Sequence, residues 1–313
     1  MIEIIEGVKL SEMCDYSFGD QASIICGIPG GWMKKANITN SEFVSTVNQI
    51  SESRNWMTLF IDNIRLYKRE MKLKKESDQQ WVDGLMSEND LLKLCSMFPK
   101  MSFIIFTNLE DTPIDEQIKD KIPNNVLSIN SVNSMFFNEK VRPIPYGIQR
   151  SMYPGDNRKS ILLSKINTEI SPDKLLYVNH TIVTNVDERS GINEIFQDKD
   201  WVNVETNRTD YDTFLSNIKR HKFMICPIGN AIDCHRNWEV LYMRRVPVMK
   251  KNQYLEFLFK DYPVLFVDNY EDITDELLID NENLYKQALN MDISKLDLNN
   301  IFNSCIKNNI SND

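Results

Sequence analysis

Arg236 and Glu239 stand three residues apart in the run Phe223-Met-Ile-Cys-Pro-Ile-Gly-Asn-Ala-Ile-Asp-Cys-His-Arg-Asn-Trp-Glu239. An apolar strand there enters a Pro/Gly loop, the loop opens a helix, and a second apolar run at 246–249 follows. Residues at this spacing share a helical face, and a helix that begins after a glycine turn offers unpaired backbone N–H groups to an anion. Arg236 adds a guanidinium fork for phosphate oxygens. Glu239, one turn deeper, can accept hydrogen bonds from ribose hydroxyls. The arrangement suits a nucleoside diphosphate. The same pair also fits an ion pair on a solvated helix, worth only tenths of a kcal/mol.

Other residues carry a chemical and a structural reading together. His180 follows an apolar run, beside Thr181 and Thr184, and can line a cleft. His235 can touch a phosphate or an acceptor, or cap its helix. Trp238 and Tyr242, four apart, fit core packing better than sugar stacking. Arg244 and Arg245 fit a basic helix C-terminus favoured by the helix dipole. Among carboxylates, Asp62 directly follows the apolar run 57–61, and Glu110 and Asp111 follow 102–107 in the same way. Asp15 and Asp20 flank an aromatic, glycine-containing loop. Asp62, Asp111 and Asp20 are the candidates for a general base. The turn at 27–32 has glycines but lacks the Lys-Ser/Thr of a phosphate-binding P-loop.

Positioning these groups takes regular elements. In the C-terminal half, apolar runs at 175–179, 201–205, 223–226, 246–249 and 264–267 predict strands. Amphipathic stretches at 187–196, 210–221, 234–244 and 253–259, and an acidic one from 272, predict helices between them. This alternation implies a parallel, doubly wound sheet, whose ligands bind beyond the C-terminal strand ends. In the N-terminal half, 24–27, 57–61, 102–107 and 126–129 predict strands, and 42–50, 87–98 and 114–120 predict helices. The Pro/Gly-rich 142–147 reads as an interdomain linker. The fold class is therefore α/β, with domains at 1–148 and 149–313.

The chain has 313 residues, enough for two such domains, with 42% hydrophobic and 26% charged residues. A formal charge of −9 argues against nonspecific nucleic-acid binding, so a phosphate ligand needs local positive charge. The six cysteines show no metal-finger spacing and fit free buried thiols. No basic, apolar leader opens the sequence and no apolar stretch is long enough to cross a membrane, so a cytoplasmic protein is expected.

The run Pro227-x-Gly229, Asp233-x-x-Arg236-x-x-Glu239 and Val246-Pro247-Val248 resembles the C-terminal signature of exostosin-like glycosyltransferases, family 47 in the sugar-transferase classification. The stretches 263–273 and 176–181, with Arg189 after the latter, are similar to the family's neighbouring strands, so the resemblance covers roughly 175–275. It suits the small soluble forms found in microbes and large DNA viruses, where the location is the host cytoplasm. It implies two Rossmann-like lobes facing across a cleft, the B-type glycosyltransferase fold, with the nucleotide-sugar domain C-terminal. It also implies an inverting, metal-independent transfer from a UDP-sugar to an oligosaccharide or glycoprotein-glycan hydroxyl. By position, Arg236 and Arg189 become phosphate contacts and Glu239 the ribose contact, with Gly229, Asn230 and Asp233 close to the donor. Arg189 equally fits a pair with Asp187 or Glu188.

Two further readings stay open. The triplets Asp198-Lys-Asp200 and Asp210-Tyr-Asp212 match the D-x-D pattern by which A-type transferases hold a divalent cation. A nucleotide-sugar- or glycan-binding protein without a base is the non-catalytic reading.

Overall fold

Every strand pairing in the computed structural model is parallel. Apolar runs are used as parallel sheets require, covered on both faces. The structure describes residues 2–18, 40–61, 88–107, 116–134, 136–149 and 157–310. They form two compact units: one mainly Ile5–Tyr146 with the last helix, Leu298–Ile310, the other Asn157–Asp297 with Gly147–Gln149 and Met1–Ile4.

In the first unit, α1 (Gly7–Met13) precedes β1 (Tyr16–Phe18), and α2 (Asn40–Ser51) precedes β2 (Trp56–Ile61). Then come α3 (Glu88–Ser96), β3 (Ser102–Thr107), β4 (Val126–Ser131) and β5 (Val141–Pro143). The strands lie in chain order, β1-β2-β3-β4-β5. Alternate residues Met57, Leu59, Ile61, Phe103 and Ile105 pack with Phe43 and Val47 of α2 and with Leu92 and Cys95 of α3. This is the period-two burial of a strand face. From the opposite face Phe106 stacks on Phe302 of the last helix, with ring centroids 4.9 Å apart. The strands expected at 57–61, 102–107 and 126–129 form. The expected helix over 114–120 falls partly outside the described residues, and Glu116–Lys121 is a 3-10 helix. The strand candidate 24–27 and the turn 27–32 lie outside them as well.

The second unit begins with α4 (Arg158–Ile166) and β6 (Lys174–Val178), followed by α5 (Val186–Arg189), α6 (Ile192–Phe196) and β7 (Val202–Val204). Next are α7 (Tyr211–Lys219), β8 (His221–Ile225), α8 (His235–Tyr242) and β9 (Val246–Lys250). It closes with α9 (Gln253–Leu258), β10 (Leu265–Val267), α10 (Asp275–Asp280) and α11 (Glu282–Asn290). Its core holds Leu176, Val178, Phe223, Ile225, Val246 and Val248 against Ile192 and Phe196. The single helix expected over 187–196 is two, because Gly191 adopts φ 83°, a left-handed turn that ends α5 and starts α6. Asp210 caps α7 by accepting from the Thr213 amide at 2.9 Å. Arg245, expected at a basic helix end, is buried, and its guanidinium donates to the carbonyls of Ile170, Lys219, Met243 and Arg244.

Strand order here is β10-β9-β8-β6-β7. From β6 the chain moves to one side to form β7, then returns past β6 to form β8 on the other. The loops leaving β6 and β8 therefore part in opposite directions at the C-terminal strand ends, the place where sheets of this order form a ligand crevice. Such a topological switch point is where open α/β sheets bind ligands.

Candidate functional site

Both loops at this switch point are held by one side chain. Arg189, at the end of α5, is buried. Its Nε donates to Ile228 O at 2.9 Å, and Nη1 donates to Thr181 O at 2.9 Å and Thr184 Oγ1 at 2.6 Å. Nη2 donates to Pro227 O at 2.9 Å and reaches Cys234 Sγ at 3.9 Å. All five N–H donors of the guanidinium are thus engaged by the chain. The phosphate contact implied for Arg189 has no N–H left to make it, and no pair with Asp187 or Glu188 takes its place among the described residues. Arg189 is the tie between the β6 and β8 loops. Burial lowers its pKa first, and the Cys234 thiol partly offsets this.

Gly229 belongs to the same tie. A Cβ there would lie 2.7 Å from Arg189 Nη2 and 3.2 Å from Cys234 Sγ. The glycine permits the loop to close on the guanidinium, and Asn185 Nδ2 donates to its carbonyl at 3.1 Å. Asp233 is fully buried and accepts from Trp238 Nε1 at 2.8 Å and Asn237 Nδ2 at 3.0 Å. It anchors the first turn of α8, and Trp238 stacks on Phe259 in the core. His235 Nδ1 lies 2.8 Å from the carbonyl of Gly147, where φ is 75°. Asn230 is exposed at the loop tip.

Inside this frame sit the groups with chemistry to spare. Arg236 is half-buried, its guanidinium lies 5.8 Å from the Phe214 ring of α7, and its Nε is buried without a hydrogen-bond partner. No ion pair joins it to Glu239 among the described residues, so the solvated i,i+3 pair does not form. Glu239 is only 6% exposed. Burial raises its pKa, while the Tyr211 hydroxyl and the charges of Arg236 and Arg158 pull it down. Arg158, the first residue of α4, also lies 5.8 Å from the Tyr211 ring and hydrogen-bonds Gln149. His180 Nε2 lies 3.3 Å from Arg189 O. A carbonyl only accepts, so Nε2 carries the proton and Nδ1 is a bare lone pair, buried and without a partner. Burial, then the charge of Arg236, lowers its pKa to about 4, so the ring is neutral at physiological pH.

The structure places His180 on the loop after β6 and Arg236 and Glu239 on the helix after β8, and it uses Arg189, Gly229, Asp233 and His235 to hold the two loops and the start of that helix. Arg158 and Tyr211 escaped the sequence reading. Nothing in sequence links them to Glu239, which lies 81 and 28 residues further on.

Asp62, Asp111 and Asp20 lie outside the described residues, as does Glu110. Asp15 is engaged in structure. Its Oδ2 accepts from the Thr58 amide at 2.7 Å and from Thr58 Oγ1 at 2.8 Å, and Oδ1 pairs with Arg54. In the D-x-D triplets, Asp210 caps α7 and Asp212 pairs with Lys165 at 2.9 Å. No group of three or more His, Cys, Asp or Glu is placed to hold a metal among the described residues. Asp200 lines a shallow groove of ≈ 280 Å³ with Lys174, Trp201 and Lys222, by the strand starts and away from the switch point.

No protein-family model matches this chain, and no curated protein shows significant similarity to it. The class defined by the fold is an α/β protein with two parallel five-stranded sheets and a topological switch point in the second. Among the described residues, no helix is long and apolar enough to cross a membrane.

Proposed function

We propose that the crevice of the second unit binds the nucleoside diphosphate of a UDP-sugar, and that the protein is an inverting, metal-independent glycosyltransferase of the exostosin-like kind. On this reading the two units are Rossmann-like lobes of the B-type fold, acting on a glycan hydroxyl in the cytoplasm. The observation that carries the proposal is that one helix at a topological switch point bears both a cation with an unused donor, Arg236, and a buried carboxylate, Glu239. Two arginines around one carboxylate leave a net positive charge, which suits a diphosphate in a chain of net charge −9.

In the reaction the acceptor oxygen bonds to the anomeric carbon opposite the diphosphate. The bond from that carbon to the phosphate oxygen breaks, its electron pair leaves on UDP, and a general base takes the hydroxyl proton. Arg236 and Arg158 stabilise charge developing on the leaving group. Asp62, Asp111 and Asp20 are the candidates for the base. Calorimetric titration with UDP and assay of UDP-sugar turnover test the proposal. UDP binding with turnover, lost in Glu239→Ala, supports it. UDP binding without turnover on a broad acceptor panel supports a binding protein instead.

A further inference from the structure

Arg158 and Arg236 stand at the two ends of one aromatic stack. Tyr211 and Phe214, three apart on α7, share a helical face, and their rings stack with centroids 6.3 Å apart and planes 28° apart. The Arg158 guanidinium lies 5.8 Å from the Tyr211 ring centroid, and the Arg236 guanidinium lies 5.8 Å from that of Phe214. Both distances are within reach of a cation over an aromatic face. The stack has a firm footing, because Phe214 also lies 6.5 Å from the ring of Tyr177, a fully buried residue of β6. Tyr211 and Phe214 are themselves only half-buried.

We infer that Phe214 is the positioning residue for Arg236: its ring orders the guanidinium before a phosphate arrives, as the Tyr211 ring and Gln149 order Arg158. Arg236 needs such help. It makes no ion pair among the described residues, and its Nε has no hydrogen-bond partner. An arginine side chain carries much rotamer entropy, and a ligand that has to freeze it binds more weakly for doing so. A ring beside the guanidinium removes part of that freedom in advance. It also leaves the N–H groups for the ligand, because an aromatic face takes no in-plane hydrogen bond from the fork. The inference rests on the donor-site reading, in which Arg236 contacts the diphosphate.

The test is calorimetric titration of the full chain with UDP and with uridine, for wild type, Phe214→Leu, Phe214→Met and Phe214→Tyr. Leu and Met keep an apolar side chain against Tyr177 but offer no aromatic face, and melting curves show which of them is folded. The ringless variant is expected to bind UDP roughly fivefold more weakly, with uridine, which has no phosphate, bound as by wild type. Phe214→Tyr keeps the ring and is expected to bind UDP like wild type. In an Arg236→Met background, loss of the ring is expected to change UDP affinity no further, since the group it positions is gone. A packing role alone would weaken uridine with UDP and would act in both backgrounds. If wild type binds UDP and a folded ringless variant binds it within about twofold of wild type, the inference is overturned while the donor site stands. The same holds if UDP and uridine weaken alike. If wild type binds no UDP, both fall.

Discussion

Gly229 and Arg189 are packed so closely that a methyl group on the glycine would lie 2.7 Å from the guanidinium Nη2. The arginine cannot retreat, because its five donors are fixed on both loops. Gly229→Ala is therefore expected to push the β8 loop away from the β6 loop, at about 1–3 kcal/mol for an overpacked buried contact. Chemical denaturation measures the loss, and nucleotide affinity is expected to fall with it.

Arg189 and Arg236 separate by role. Arg189→Met removes a donor from three backbone carbonyls, of which Thr181 O keeps the Thr184 hydroxyl and Pro227 O the Cys234 thiol, and is expected to cost about 2–4 kcal/mol of stability. Arg236→Met removes a guanidinium with an unused Nε and is expected to leave the melting temperature nearly unchanged while lowering UDP affinity. Thermal melts of the two variants, with and without UDP, distinguish them. Equal destabilisation by both would mean that Arg236 is structural too.

These two arginines also show what the sequence could disclose. Strand ends, the Pro/Gly loop and the helix bearing Arg236 follow from apolar runs and turn residues, which are local signals. The function of Arg189 depends on carbonyls at positions 181, 227 and 228, and a single position holds no record of which carbonyls it meets. Arg158 and Tyr211 were missed for the same reason. Their relation to Glu239 is created by the packing of α4, α7 and α8. Three-residue strands such as β1 and β5 are too short for an alternating pattern to register.

Acid is expected to weaken the second unit through His180. Its folded pKa, about 4, lies below the ordinary value of 6.5. Between these values the unfolded chain takes up a proton that the folded one refuses. Stability is present above the ordinary value and is lost as the pH falls towards the folded one. His221, also lowered by burial, adds in the same direction. Denaturation curves across this window are expected to show a shallower fall in His180→Asn than in wild type.

Lys219 gives an opposite test at alkaline pH. Its amine is buried, donates to the carbonyls of Ile166 and Thr168, and has its pKa lowered to about 8 by burial and then by the charge of Arg245. A neutral amine still has two N–H groups for two carbonyls. Stability is expected to rise from pH 8 towards the ordinary lysine value of 10.5. Lys219→Met removes the dependence, and denaturant midpoints over that range measure it.

The central claim is that Arg236 and Glu239 hold a nucleoside diphosphate, and calorimetric titration with UDP tests it most directly. Wild type is expected to bind, and Arg236→Met and Glu239→Gln each to bind at least about tenfold more weakly while melting close to wild type. Wild type that does not bind UDP, or variants that bind it as tightly as wild type, would contradict the account.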